Sequence, residues 1–145
     1  MTMTSTVQVG ERRGRVGKRV SEVMHPGVIT CELDTTVPDV ARLMTQHDIS
    51  AVPVVDEHGC LVGVITRTDL VVLRAYEDYW RELRAEHVMM RETVTVTPDA
   101  SMAEASQLMS QKRVHRLIVC ERSDHGLRPV GVLSQTDIVR DMSLE

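Results

Sequence analysis

The chain has 145 residues, 42% of them hydrophobic and 26% charged, and a formal net charge of −4. These values exclude a chain that is disordered throughout, give a nucleic-acid partner no global electrostatic support, and suit one ordinary domain or two small halves sharing a core. No apolar run approaches the roughly 20 residues that span a bilayer, and three cysteines without a CxxC spacing point to free thiols in a reducing cytoplasm.

Residues 1–19 hold Arg12, Arg13, Arg15, Lys18 and Arg19 among glycines and lack the apolar stretch of a secretory signal. The expectation is a solvated, mobile tail, with a basic arm for anionic partners as the minority alternative. From residue 20 onward the chain is a duplication. Residues 20–55 match 85–120 without a gap, at an offset of 65 that carries Met24 to Met89 and Met44 to Met109. Three extra residues in the turn ERSDHGLRP then raise the offset to 68, which carries Gly63 to Gly131. An indel confined to a Gly/Asp/Pro turn is what two copies of one fold tolerate.

Each copy opens with a short β-prone run, Val28 to Thr30 and onward in the first and Thr93 to Val96 in the second. A helix start follows, Thr36-x-x-Asp39 and then the capping box Ser101-x-x-Glu104. Val37, Val40, Ala41 and Met44, matched by Met102, Ala105 and Met109, recur at the spacing of one helical face. Pro38 falls in the first turn, where its missing N–H costs little. Two apolar strands come next: AVPVV and LVGVIT around the turn Asp56–Gly59, then RLIVC and PVGVLS. Pro53 in the first of these suggests a sheet edge or an irregular approach. The fold class is therefore α/β, two pseudo-symmetric β-α-β-β-α repeats packed as one module. The expected organisation is a tail over 1–19, a first repeat with its linker helix over 20–84, and a second repeat over 85–143.

Each copy ends in a strand that runs into a helix with two hydroxyls and a carboxylate at the junction, GVITRTDL at 63–70 and GVLSQTDI at 131–138. Capping explains one hydroxyl or the carboxylate, because a helix start leaves backbone N–H groups unpaired. Recurrence of the whole junction, glycine included, favours pocket-forming residues. Gly63 and Gly131 permit close packing or close ligand approach. Between the copies, Leu73, Tyr76, Trp80 and Leu83 in DLVVLRAYEDYWRELRAEHVM predict one continuous amphipathic helix, facing the core or a partner subunit.

No nucleophile and base can be paired by spacing, so an enzyme is the least supported class and no catalytic residue is assigned. The six histidines form no i, i+4 pair and lie near no cysteine ligand, which leaves no metal site. Cys60, at a turn, is either a reactive thiol or an inert exposed residue, the second being preferred.

VMHPGVIT, VARLMTQHDIS, AVPVVD and GVITRTDL, repeated as VMMRETVTV, AEASQLMSQKRVHRLIV and GVLSQTDI, resemble a tandem pair of CBS domains, the cystathionine beta-synthase type repeat also called a Bateman module. The resemblance covers about residues 20 to 143. It implies a non-catalytic regulatory module that requires no cofactor and binds an adenosine-containing ligand such as AMP, ADP or ATP in the cleft between repeats. On that reading Asp69 and Asp137 accept the two hydroxyls of a ribose, one per carboxylate oxygen. Thr66 and Ser134, with Thr68 and Thr136 nearby, offer hydroxyls to a phosphate at a helix N-terminus. Adenine would lie against Ile29 and Thr30 with Ala51, Val52 and Pro53 in one copy, and against Val94 and Thr95 with Arg116, Leu117 and Ile118 in the other.

VHRLIV at 114–119 is similar to the VHRL segment of nucleotide-binding repeats in the gamma subunit of AMP-activated protein kinase. Carried over, His115 and Arg116 face phosphates, a role Arg suits through its fixed donor fork. Copy one has Ser50 and Ala51 there, so the two pockets are expected to be unequal. Lys112 and Arg113 read as a solvated helix end. The expected protein is a cytoplasmic homodimer, with no membrane contact, nucleic acid unsupported as a partner, and any regulated target on a separate chain. A ligand-free dimerisation or assembly module is the alternative.

Overall fold

In the computed structural model, the backbone is described for Thr4–Val7 and the whole chain for residues 17–145. The expectation for Arg12, Arg13 and Arg15 lies outside those residues. At the end of the tail, Lys18 is exposed and Arg19 half-buried, and both side chains are hydrogen-bonded. Lys18 Nζ donates to Asp141 Oδ1 at 2.7 Å, and Arg19 Nη1 donates to the Asp99 carbonyl at 2.8 Å. The Asp141 hydrogen bond and charge raise the Lys18 pKa above its ordinary value.

The described residues divide into two compact units, one running from Ile29 to Thr93 and the other combining residues up to Val28 with Val94–Glu145. The first holds a three-stranded sheet in the order β3 (Cys31–Glu32), β4 (Ala51–Val55), β5 (Leu61–Thr66). β3 is parallel to β4, and β5 antiparallel to it. The helix α2 (Val37–His47) buries Val37, Val40 and Met44 of its predicted face and leaves Ala41 half-buried, and Val40 and Met44 join a cluster with Val52, Val54 and Ile65. The second unit holds the order β1 (Thr4–Val7), β6 (Thr93–Val96), β7 (Arg116–Ser123), β8 (Gly126–Ser134), β2 (His25–Pro26). Here α5 (Met102–Lys112) buries Ala105, Leu108 and Met109 against Leu117, Val119 and Leu133. Both predicted caps form: Thr36 Oγ1 accepts the Asp39 N–H, and Ser101 with Glu104 closes a full capping box.

The short helices α1 (Val20–Val23) and α4 (Ala85–Val88) occupy corresponding positions in the repeat. α1 is held in the second unit, where Val20 N–H donates to Ala100 O and Ser21 N–H to Pro98 O. α4 is held in the first, where Ala85 N–H donates to Thr35 O and Glu86 N–H to Leu33 O. Each repeat's opening helix is therefore pinned by the other repeat's strand-to-helix loop.

That pinning corrects the continuous linker helix. α3 (Arg67–Tyr76) stops at Glu77, whose φ of −127° and ψ of 112° are extended, and a 3-10 turn follows at Trp80–Glu82. Leu83 O is taken by the Val37 N–H, and Arg84 bridges Thr36. Backbone groups recruited into a non-local ladder cannot also serve a helix. The guanidinium groups of Arg74 and Arg81 both lie over the Trp80 ring, 5.0 and 4.6 Å from its centroid. Tyr76 and Tyr79 stay exposed.

Pro53 departs from the edge expectation, because β4 is the middle strand of its sheet and Pro53 is fully buried. The fit is still physical. Val64, opposite Pro53, exchanges both backbone hydrogen bonds with Met90 instead. The Pro53 nitrogen thus faces β3, which ends at its Cys31–Val54 pair. In the second unit the matching residues, Thr95 and Ile118, do pair. A missing donor shortens β3 by that step.

Candidate functional site

Register brings the predicted site residues together within each unit. Ala51 pairs with Thr66 across β4 and β5, and Arg116 pairs with Ser134 across β7 and β8. The start of the second strand of each copy therefore lies beside the helix cap that ends the third. Val52 and Leu117, fully buried, belong to the hydrophobic clusters, and Thr95 is also inaccessible, so these positions offer a ligand main chain only. Ile29, Thr30 and Val94 are half-buried, whereas Thr68, Thr136 and His115 are exposed. His115 and Arg116 belong to the second unit.

The two junctions are built alike. Thr66 is the N-cap of α3: its N–H donates to Asp69 Oδ2 at 2.8 Å, and its Oγ1 accepts the Asp69 N–H at 3.2 Å. Ser134 is the N-cap of α6 (Gln135–Met142), with the same two bonds to Asp137 at 2.8 and 3.2 Å. Capping thus uses one oxygen of each carboxylate, and each cap hydroxyl accepts while its own proton stays free to donate. The second carboxylate oxygen, Oδ1, is the chemically open position.

At that oxygen the junctions differ. Among the described residues no side chain is bonded to Asp69 Oδ1, and Asp69 is half-buried. Asp137 Oδ1 accepts a hydrogen bond from His25 Nε2 at 2.8 Å and has Arg140 Nη1 at 3.7 Å, and its side chain is only 3% exposed. Sequence reasoning missed both partners. Their signal was available in the repeat: His25 corresponds to Met90 and Arg140 to Val72, so the second copy of the junction alone has a donor and a cation within reach.

The glycines before the junctions serve close packing. A Cβ on Gly63 would stand 2.6 Å from Met89 Sδ and 2.9 Å from the Met90 carbonyl oxygen. On Gly131 it would stand 2.7 Å from Met24 Sδ and 2.8 Å from the His25 carbonyl oxygen. Each glycine therefore admits the segment that carries Met90 or His25 to its junction. Cys60 corrects the exposed-thiol expectation: it is 3% exposed, and Cys31 and Cys120 are buried too. Burial pushes the Cys31 thiol up to about 12. Among the described residues there is no cluster of metal-ligating side chains and no helix long and apolar enough to cross a membrane.

Two α/β units, each closing on a strand-to-helix junction with a hydroxyl and a carboxylate, define a duplicated module built from one ancestral repeat. The chain belongs to the CBS domain family, whose model matches residues 20–76 and 85–144. It is 32% identical over 127 residues to the CBS domain-containing protein YhcV of Bacillus subtilis, covering 87% of each chain. The CBS domain pair of protein MJ0100, solved in complex with 5′-methylthioadenosine and S-adenosyl-L-methionine, has a TM-score of 0.78 and 26% identity, over 88% of this chain and 98% of that one. CBSX2, solved in complex with AMP, shares the fold with a TM-score of 0.74 at 23% identity, over 88% of this chain and 98% of the other.

Proposed function

We propose that this chain is a non-catalytic regulatory module that binds an adenosine-containing ligand, AMP, ADP, ATP or an adenosyl compound, at its two junctions. The observation that carries the reading is the pairing of Thr66 with Asp69 and of Ser134 with Asp137 in matching places, each beside the first residue of a buried strand. Asp69 and Asp137 accept the ribose diol, and the cap hydroxyls with the N-terminal N–H groups of α3 and α6 receive a phosphate. Adenine lies against the main chain of Ile29, Thr30, Ala51, Val52 and Pro53, or of Val94, Thr95, Arg116, Leu117 and Ile118. His115 and Arg116 supply charge to the second junction. The ligands of the MJ0100 pair support the adenosyl class. Calorimetric titration with AMP, ADP, ATP and S-adenosylmethionine tests it. Binding that is lost in the Asp69→Ala/Asp137→Ala double variant is expected; no binding at millimolar concentration by the wild type overturns the reading.

The module acts as a homodimer in the cytoplasm and signals to a target on another chain. In support, α3 buries no residue, and Val71, Val72 and Tyr76 on it and Val139 and Met142 on α6 are exposed apolar side chains. Val71 and Val139 are repeat equivalents, so both units present an apolar helix face that a second copy would cover. Light scattering during size exclusion is expected to give twice the chain mass; a monomer at micromolar concentration contradicts it.

A further inference from the structure

The two junctions share both cap bonds and differ at Oδ1, and that difference has a directional consequence for a ligand. His25 sits on β2, a strand of two residues whose register, His25 with Val132 and Pro26 with Gly131, fixes it just before the Ser134 cap. Gly131 is what lets that strand approach, since a Cβ there would collide with the His25 carbonyl. The imidazole Nε2 then donates to the oxygen of Asp137 that capping leaves open, and the carboxylate beneath is sealed from solvent. Arg140, from the next turn of α6, adds a cation to the same oxygen. At the first junction the equivalent of His25 is Met90, which has no side-chain hydrogen to donate, and the equivalent of Arg140 is Val72.

We infer that His25 is a latch on the second junction: Asp137 accepts a sugar diol only after the imidazole is displaced, whereas Asp69 accepts one directly. The inference rests on the ligand reading above and adds to it an order of occupancy, first junction before second. The imidazole is itself largely exposed, 68% of the side chain, so the bond it makes to the buried carboxylate is only part-buried and solvent moderates the cost of displacing it. Released from the latch, Asp137 should gain about tenfold in ligand affinity, the lower end for a hydrogen bond to a charged group.

The test isolates the second junction by using Asp69→Ala as the background and AMP as the probe in calorimetry. Adding His25→Ala to Asp69→Ala is expected to tighten AMP binding about tenfold, and adding Asp137→Ala as well is expected to abolish the gain. His25→Gln, which keeps a donor of similar reach, is expected to leave the background affinity close to unchanged, and circular dichroism checks that each variant is folded. Unchanged or weaker AMP binding on His25→Ala, with wild-type binding intact, overturns the latch and spares the ligand reading; weaker binding would make His25 a ligand contact. Absence of AMP binding in all forms, wild type included, overturns both.

Discussion

Asp69 and Asp137 each hold a helix N-terminus with one carboxylate oxygen and leave the other for a second partner. Losing the cap hydroxyl in Thr66→Ala or Ser134→Ala should destabilise the fold by about 1 kcal/mol, measurable by urea unfolding, because one helical N–H loses its acceptor. Gly63→Ala should cost more, roughly 1–3 kcal/mol. The added Cβ meets not only the yielding Met89 sulfur but the Met90 backbone carbonyl, and Met90 O is already committed to the Val64 N–H. Burial raises the Cys31 pKa from 9.0 to about 12, so the fold favours the neutral thiol. Its contribution is full below pH 9.0 and is lost as pH rises toward about 12, because the unfolded thiol ionises first. Alkylation of the native protein near pH 8 should accordingly be slow at all three buried thiols and follow unfolding; prompt labelling would contradict the burial. Residue roles were only partly legible beforehand. The Asp–hydroxyl junctions were visible because they recur, whereas the burial of Cys60 depends on tertiary contacts to which a turn sequence is blind.

At the scale of elements, local rules identified the structure where local forces decide it. The helices begun by Thr36 and Ser101 form with the expected caps and buried faces, and Ala51–Val55 and Leu61–Thr66 form the expected strands. The linker fails as a continuous helix because the deciding bonds are distant ones, Val37 N–H to Leu83 O and Ala85 N–H to Thr35 O. Periodicity carries no information about such partners. Pro53 illustrates the converse: the residue correctly signals an absent ladder bond, but not which neighbour lacks it. The substitution Pro53→Val should cost little in the β4–β5 pair, where Val64 bonds elsewhere, and is expected to let β3 extend to Thr30 as β6 does at Thr95. Amide exchange of the N–H that Pro53→Val introduces reads this directly: protection supports the register argument, and fast exchange contradicts it.

For the molecule as a whole, duplication was plain in the sequence, and the exchange of opening segments was not. The described residues 17–28 belong with Val94–Glu145, and Ala85–Val88 belongs with Ile29–Thr93. A constant offset of 65 is equally compatible with either assignment, because the two opening segments fit equivalent loops. The exchange brings His25, from the first repeat's sequence, to the carboxylate of the second. On the proposed reading, two junctions of common descent that differ in what binds the second carboxylate oxygen give two thresholds from one binding chemistry. The central claim is that paired carboxylates read the ribose diol of an adenosine-containing ligand. Its most direct test compares AMP with the dideoxy analogue lacking both ribose hydroxyls, by calorimetry on the wild type and on Asp69→Ala/Asp137→Ala. The expected result is a preference for AMP of at least about tenfold in the wild type that disappears in the double variant; equal affinities in the wild type would contradict the account.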